Sequence, residues 1–377
     1  MMIVDHSPSA LRRLTDQPLG FFSTAECFVF VSAFLAGLLF RKRAEEFGFA
    51  AARTASIRRA GRIYRAHLAT LCFAFILGSF FLSELPGLRN LLDRYLMNPW
   101  AAIGGSLALL FRPPLMDILP MYILFSFLTV PAFRAAKRWG WKTVLFGSFT
   151  VWAIAQTHVR EVWVYASKDL PFVELGPFDL LSWQLLWVAG LFVGQRFLEG
   201  KSLLPRPNLL RPILIFLAIA FLSWRWSSID GRTDLVNQTW LFDKWHLGPL
   251  RLINFAVTAS VVATFLKYVY RWEKCLRPFL LIGRHMLPVF CCEICLSVLL
   301  FGGMDSRLAT EPFTSVLVIV QLLTVAVFAW LFEVRSTAHH SPHPKPQPTL
   351  EESPLYPHAA ENQLASRSVG QPALRTF

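Results

Sequence analysis

Charged residues are scarce in this chain: 16% of its 377 residues are Asp, Glu, Lys or Arg, against about 25% in typical soluble domains. Cysteine is scarce too. Of the six, Cys27, Cys72, Cys291, Cys292 and Cys295 lie in apolar stretches and Cys275 in a basic connection, so none is placed to form an external disulfide. The Cys291-Cys292-x-x-Cys295 cluster has no partner cysteines or histidines at ligand spacing, and is read as small apolar packing rather than a metal or redox site. There is no Gly-rich phosphate loop, no Gly-x-Ser-x-Gly elbow and no zinc-protease helix motif. No internal repeat is evident, so a transporter built from two similar halves gains no support.

What is abundant is apolar. Hydrophobic residues make up 54% of the chain, with 34 Phe and 13 Trp, and mean hydropathy is +0.45. They cluster at 20–40, 66–83, 117–133, 143–158, 178–195, 212–224, 247–266, 278–301 and 313–332. Most of these stretches run about 16 to 24 residues, enough to cross roughly 30 Å of hydrocarbon. The shortest, 212–224, needs Trp224 and Trp226 in the interface to reach across. Lipid leaves no open sheet edge satisfied, so every span is expected to be a helix. The fold class is therefore all-α: a polytopic transmembrane helix bundle of nine spans, a protein whose partner is the lipid bilayer. Segment 98–111, bounded by Pro99 and Pro113-Pro114, is too short to cross and is expected to re-enter or lie in the interface.

Charge sets the orientation. Connection 41–65 carries eight Lys or Arg, and 134–142, 196–211 and 267–277 carry four each, against four acids in all. The opposite set of connections holds 11 basic and 12 acidic residues. The first set is therefore expected in the cytoplasm, and the net charge of +13 is an orientation signal rather than a nucleic-acid footprint. No nucleic acid is expected as a partner. The C-terminus falls inside and Met1 outside, a pattern that a chain missing its first helix would also give. Residues 1–334 are read as the membrane domain. Residues 335–377, rich in Pro, Ser and Glu, read as a disordered cytoplasmic tail whose His339, His340 and His343 hold no functional metal.

Ionisable groups within spans cost several kcal/mol unless paired or wetted, which makes each a candidate. Toward the outer face lie Glu26, Asp117, Asp179, Arg251 and Glu293, with Asp5, His6, Lys244 and His246 in nearby external segments. This mixture suits proton transfer with a hydroxyl acceptor, and equally a salt-bridge network that fixes helix packing. His246 in DKWHLGP, and His158 at a span end, also fit as interfacial anchors. Toward the inner face lie His67, Arg284 and His285. Arg58, Arg62 and Arg65 share one helical face, where guanidinium forks can grip phosphates; ordinary positive-inside anchoring explains them as well. From spacing alone, a transporter and a membrane-embedded group-transfer enzyme fit about equally.

Several stretches carry a resemblance: IVDHSPSALRRLTDQPLGFFSTAECFVFVSAFLAGLLF, RAGRIYRAHLATL, RPPLMDILPMYILF, LLSWQLLWVAGLFVG, DKWHLGPLRLINF and LLIGRHMLPVF. In this order and spacing, to about residue 333, the chain resembles the OpgC family of membrane acyltransferases, relatives of the acyltransferase-3 superfamily. The resemblance implies an acyltransferase of groups other than aminoacyl. It would move an acyl group, succinyl in the named members, from a cytoplasmic acyl-CoA (succinyl-CoA) to a periplasmic glucan at the bacterial inner membrane. No metal and no tightly bound cofactor is implied. The superfamily's key histidine matches His6, and its Arg-x-x-Arg pair matches Arg62 and Arg65. The family's first helix would precede Asp5-His6, so the true start is expected about 20 residues upstream, one span's length.

On this reading His6 takes the hydroxyl proton as general base, or relays the acyl group covalently. Asp5 is its sequence neighbour, but i,i+1 residues do not face each other on a helix. Glu26 or Asp117 is therefore the better orienting carboxylate. Arg58, Arg62, Arg65 and His67 are assigned to acyl-CoA, and Arg251, Asn254, His246 and His285 to the acceptor or acyl head. A transporter of an anionic metabolite is the rival. A glycosyltransferase is disfavoured, because Asp169, Glu174, Asp230 and Asp234 are scattered rather than gathered in a motif.

Overall fold

A computed structural model describes residues 4, 11–80, 89, 91–201, 207–227, 239–269, 273–303 and 313–338. The chain divides into two units, Met1–Glu333 and Val334–Phe377. The second is described only over 334–338; of the expected disordered tail, residues 335–338 are helical and 339–377 lie outside the described residues. The main helices are α1 (Thr24–Phe80), α2 (Pro99–Leu107), α3 (Ile118–Ala155), α4 (Val159–Ala166), α5 (Leu180–Leu198), α6 (Pro207–Ser227), α7 (Pro249–Val269), α8 (Glu273–Arg284), α9 (Met286–Gly303) and α10 (Phe313–Ala338). No strand occurs among the described residues; a single parallel bridge joins Phe111 and Glu174.

Helix α1 opens on a capping box. The Ser23 backbone N–H and hydroxyl both donate to Glu26 Oε2, at 2.9 and 2.6 Å, so the N3 carboxylate satisfies an orphan donor at the helix start. At Gly48 the backbone leaves the helix at φ 83°, ψ 164°, a region open essentially to glycine alone. Gly140 does the same in α3, at φ 82°, ψ 158°. Each long helix is thus two arms, 24–47 with 49–80 and 118–139 with 141–155. The stretches expected as basic loops, 41–65 and 134–142, are therefore mostly helix. Their residues (Ala50-Ala51-Ala52-Arg53 and Ala135-Ala136-Lys137-Arg138) are good helix formers, and only one glycine in each needs to turn.

Both turns lie at the same end. Phe40 stacks on Phe133 at 4.3 Å and meets Phe49 at 5.4 Å; Phe133 meets Trp141, whose indole N–H donates to Gln195 at 3.0 Å. The opposite end holds Ser23, Asp117, Asp179 and His246. Helix α5 sits at the centre, with Trp183 and Trp187 fully buried. It meets α1 through small residues: a Cβ at Gly190 would stand 2.8 Å from Phe30 O, and one at Gly194 2.8 Å from Leu38 N. This Gly-x-x-x-Gly stripe, opposite Ala33 and Gly37, lets two backbones approach as membrane helices commonly do.

Among the described residues four helices, not nine, qualify by length and hydropathy as membrane spans: Thr24–Phe80, Ile118–Ala155, Leu209–Ser227 and Phe313–Arg335. The difference has an identifiable source. The expected segments 20–40 and 66–83 fall largely in the two arms of α1, and 117–133 and 143–158 in those of α3. Segments 247–266 and 278–301 meet the shorter apolar helices Pro249–Phe265 and Met286–Leu300. Segment 178–195 meets α5, which carries Gln184, Gln195 and Arg196. The outward faces are apolar: Leu209, Ile213, Phe216 and Ile219 of α6 are all exposed. A stripe of this kind is untenable in water and ordinary in lipid, so this is a membrane protein. Helix α2, nine residues long, reaches only about 14 Å and cannot span.

Candidate active site

At the end holding the two glycine turns, a cavity of about 990 Å³ is lined by Arg43, Arg58, Arg62 and Arg65. The last three form one exposed stripe of the 49–80 arm. A narrower cavity shares Arg43 and Arg62 and continues to Arg59, Ser126 and Thr129. Arg59 Nη2 donates to Ser32 Oγ at 2.7 Å, and its guanidinium lies 5.8 Å from the centre of the Trp187 ring. Tyr122 is its electrostatic neighbour. The Tyr122 hydroxyl is buried without a hydrogen-bond partner among the described residues. Arginines thus mark the way from the mouth into the bundle.

At the other end, Glu26 and Arg251 form a fully buried ion pair. Glu26 Oε1 accepts from Arg251 Nε, and its other oxygen is held by Ser23. Arg251 Nη2 is buried with no partner among the described residues. One turn along α7, Asn254 Oδ1 accepts from Phe21 N at 2.6 Å. A Cβ at Gly20 would collide with that amide. The pair and the amide together bolt the entrance of α1 to α7. Breaking such a pair by removing one charge typically costs about 3–5 kcal/mol.

The remaining expected residues fall into separate groups. Asp5 and His6 lie outside the described residues. Asp117 is buried, with Arg112 as its electrostatic partner. Asp179 caps α5, accepting from Leu181 N and Ser182 Oγ, both at 2.9 Å. His285 bonds to Glu333 Oε2, which Arg284 also reaches at 3.1 Å through Oε1. His67 is fully buried and neither ring nitrogen has a partner among the described residues. It lies on the buried stripe with Ile63 and Leu71, not on the arginine stripe, because position 67 is out of phase with 58, 62 and 65. Its charged neighbour is Arg112, toward the opposite end from the arginine mouth.

His246 is held between two carboxylates, Asp243 at Nδ1 and Glu161 at Nε2, the latter at 2.9 Å. The Asp243 hydrogen bond raises the imidazole above its ordinary 6.5; partial burial opposes this, and the field of both acids adds to it. For Asp243, burial pushes up, while bonds from His246 and from Trp245 N more than offset it and leave the carboxyl low. His158, strained at φ 57°, brings a second imidazole 4.6 Å away. Ligand atoms of His158, Glu161 and His246 lie within 4.8 Å of one another, close enough for one cation. With both His246 nitrogens already bonded to carboxylates, the geometry supports directly an ion-pair staple between α4 and the 239–248 segment.

Sequence reasoning did not single out Arg59, Tyr122 or Arg112 as site residues. Arg59 was legible as one of a basic run, but only the fold buries it against Ser32 and Trp187. No curated protein and no solved structure matches the chain. Residues 1–337 match the family profile described as OpgC protein, a stretch that contains both ends of the bundle described above. The chain belongs to the OpgC protein family.

Proposed function

We propose that this protein is an integral membrane O-acyltransferase, carrying an acyl group, succinyl in the reading we favour, from a cytoplasmic acyl-CoA to hydroxyls of a periplasmic glucan or related polysaccharide. Family membership supports the membrane acyltransferase role. The observation that carries the donor end is the 990 Å³ cavity lined by four arginines. Fixed guanidinium forks grip phosphate oxygens bidentately, and a coenzyme A headgroup supplies such oxygens. On this reading Arg59, further in, meets the pantetheine arm or thioester as it enters the bundle.

In this reading the bundle crosses the bacterial inner membrane with the arginine mouth and the C-terminus in the cytoplasm. His6 accepts the proton of a glucan hydroxyl as its oxygen attacks the thioester carbonyl carbon. The tetrahedral intermediate collapses, the C–S bond breaks, and the departing thiolate takes up a proton. Glu26 is held by Arg251 and Ser23, and the reading assigns the orienting role to Asp117, which stands beside Arg112. The Glu26–Arg251 pair then acts as framework, and Arg251 contacts the acyl head or the acceptor through Nη2, which has no partner among the described residues.

The test uses a host lacking its own glucan acyltransferase, with the protein expressed from its full reading frame, and mass spectra of the periplasmic glucans. Acyl adducts restored by wild type, lost in His6→Ala and strongly reduced in Arg62→Ala/Arg65→Ala are expected. Adducts that persist in His6→Ala would remove the base assignment. Transport of an unmodified anion into vesicles, with no ester formed on any glucan, would replace the transferase with a transporter.

A further inference from the structure

A second cationic cavity lies at the end opposite the arginine mouth. It measures about 400 Å³, and Arg94, Arg112, Arg160 and Lys168 line it, with Glu174 the only acid among the described residues of its wall. Two loops frame it, tied together where Arg112 N donates to Glu174 O and Glu174 N to Leu110 O, both at 2.8 Å. Each guanidinium is anchored on a backbone carbonyl: Arg94 Nη1 on Val173 O at 2.6 Å, Arg112 Nε on Leu109 O at 2.8 Å, and Arg160 Nη2 on Gly176 O. A guanidinium has five N–H donors, so one anchoring bond holds each fork in position and leaves most donors over.

We infer that this cavity is a binding site for an anionic group, a carboxylate or a phosphate, carried by a substrate of the transfer reaction. The lining supports it. Four cations stand in the wall against Glu174, while Asp117 beside Arg112, Glu161 at 3.6 Å from Arg160 and Asp93 near Glu174 stand outside the lining. Arg112 is 6% exposed; burial brings its pKa down to about 10, with Asp117 opposing and Arg160 adding to the fall. It therefore remains a cation that an incoming anion would relieve. Burial pushes Glu174 up, Arg94 holds it down, and Asp93 and Asp117 push it further up, which weakens the one acid of the wall as a competitor. Arg112 is also the charged neighbour of His67, whose ring nitrogens have no partner among the described residues.

The inference rests on the transfer reading for its source of anion, of which there are two. The acyl group can carry a carboxylate at its far end, or the polysaccharide can carry a charged substituent. Purified protein is titrated by calorimetry with succinate and with glycerol phosphate, and with glycerol as the neutral control. Wild type is expected to bind the anions and not glycerol, and Arg160→Met/Lys168→Met to bind them at least about tenfold more weakly, the loss expected for one charge-assisted bond. Equal binding by wild type and variant would overturn the site. This arm needs no turnover, so it stands even if the transferase reading fails.

Transfer assays then assign the source. If the acyl head occupies the site, the double variant loses kcat/KM about tenfold for succinyl-CoA while acetyl-CoA is spared. If the acceptor does, the loss follows phosphate-bearing against neutral glucan and ignores the donor. A uniform loss across all donors and acceptors, in a variant that still unfolds like wild type, would mean that the cavity is structural and overturn the inference.

Discussion

Replacing Arg251 by Met keeps a long side chain but leaves the Glu26 carboxylate, which is fully buried, without its counter-charge. Ser23 still donates two hydrogen bonds to the other oxygen, but no described group replaces the guanidinium at Oε1. The expected loss is about 3–5 kcal/mol, the usual result of breaking a buried pair from one side. Glu26→Gln alone is expected to cost a similar amount, because it strands a guanidinium that is itself fully buried. The double variant Glu26→Gln/Arg251→Met should cost clearly less than the two singles added together, since neither charge is then left alone. Unfolding in mixed micelles, followed by tryptophan fluorescence, measures all three. A coupling energy under about 0.5 kcal/mol, the range of sites that do not interact, would refute the pairing and return Arg251 to the pool of free substrate-binding charges.

Gly48→Ala is expected to destabilise by about 1–3 kcal/mol through backbone strain alone, because no atom lies within 4 Å of the added Cβ; the same unfolding assay checks it. Gly194→Leu should abolish folding or lower yield sharply, since its side chain would drive α5 off the Phe34 and Leu38 backbone, and size-exclusion profiles in detergent would reveal this. The staple at His246 sets a pH window. The raised imidazole contributes fully below about 6.5 and fades as pH climbs through its folded value, while the lowered Asp243 contributes above about 4 and fades in acid. Hydrogen-exchange protection factors of 239–248 should therefore be largest between those limits and flatten in His246→Gln; a flat wild-type profile would count against the staple.

Much of the local structure was legible because it rests on rules that need only neighbours. Lipid forbids unsatisfied backbone, so apolar stretches of this length had to be helices. The phase of Arg58, Arg62 and Arg65 follows from 3.6 residues per turn. Ser23-x-x-Glu26 has capping-box spacing and Gly190-x-x-x-Gly194 that of a close helix contact, though sequence reasoning singled out neither. In connection 41–65 only the stretch of Arg58, Arg62 and Arg65 reads as helical by spacing; the rest reads as loop because its basic residues outweigh its Ala-rich helix propensity.

Tertiary structure decided everything that depends on distant partners. Glu26 and Arg251 are 225 residues apart, and no periodicity in either segment announces that each neutralises the other. Arg94 and Arg160 sit on separate helices, Asp93–Met97 and α4, and Arg112 and Lys168 in the connections, and only their packing makes one cavity of them. A helical membrane protein with a cationic stripe follows from the order of residues alone, because those properties are sums over local neighbours. Which charges are consumed in pairs and which remain for a substrate was decided only by the fold, because an ionic interaction depends on distance in space rather than along the chain.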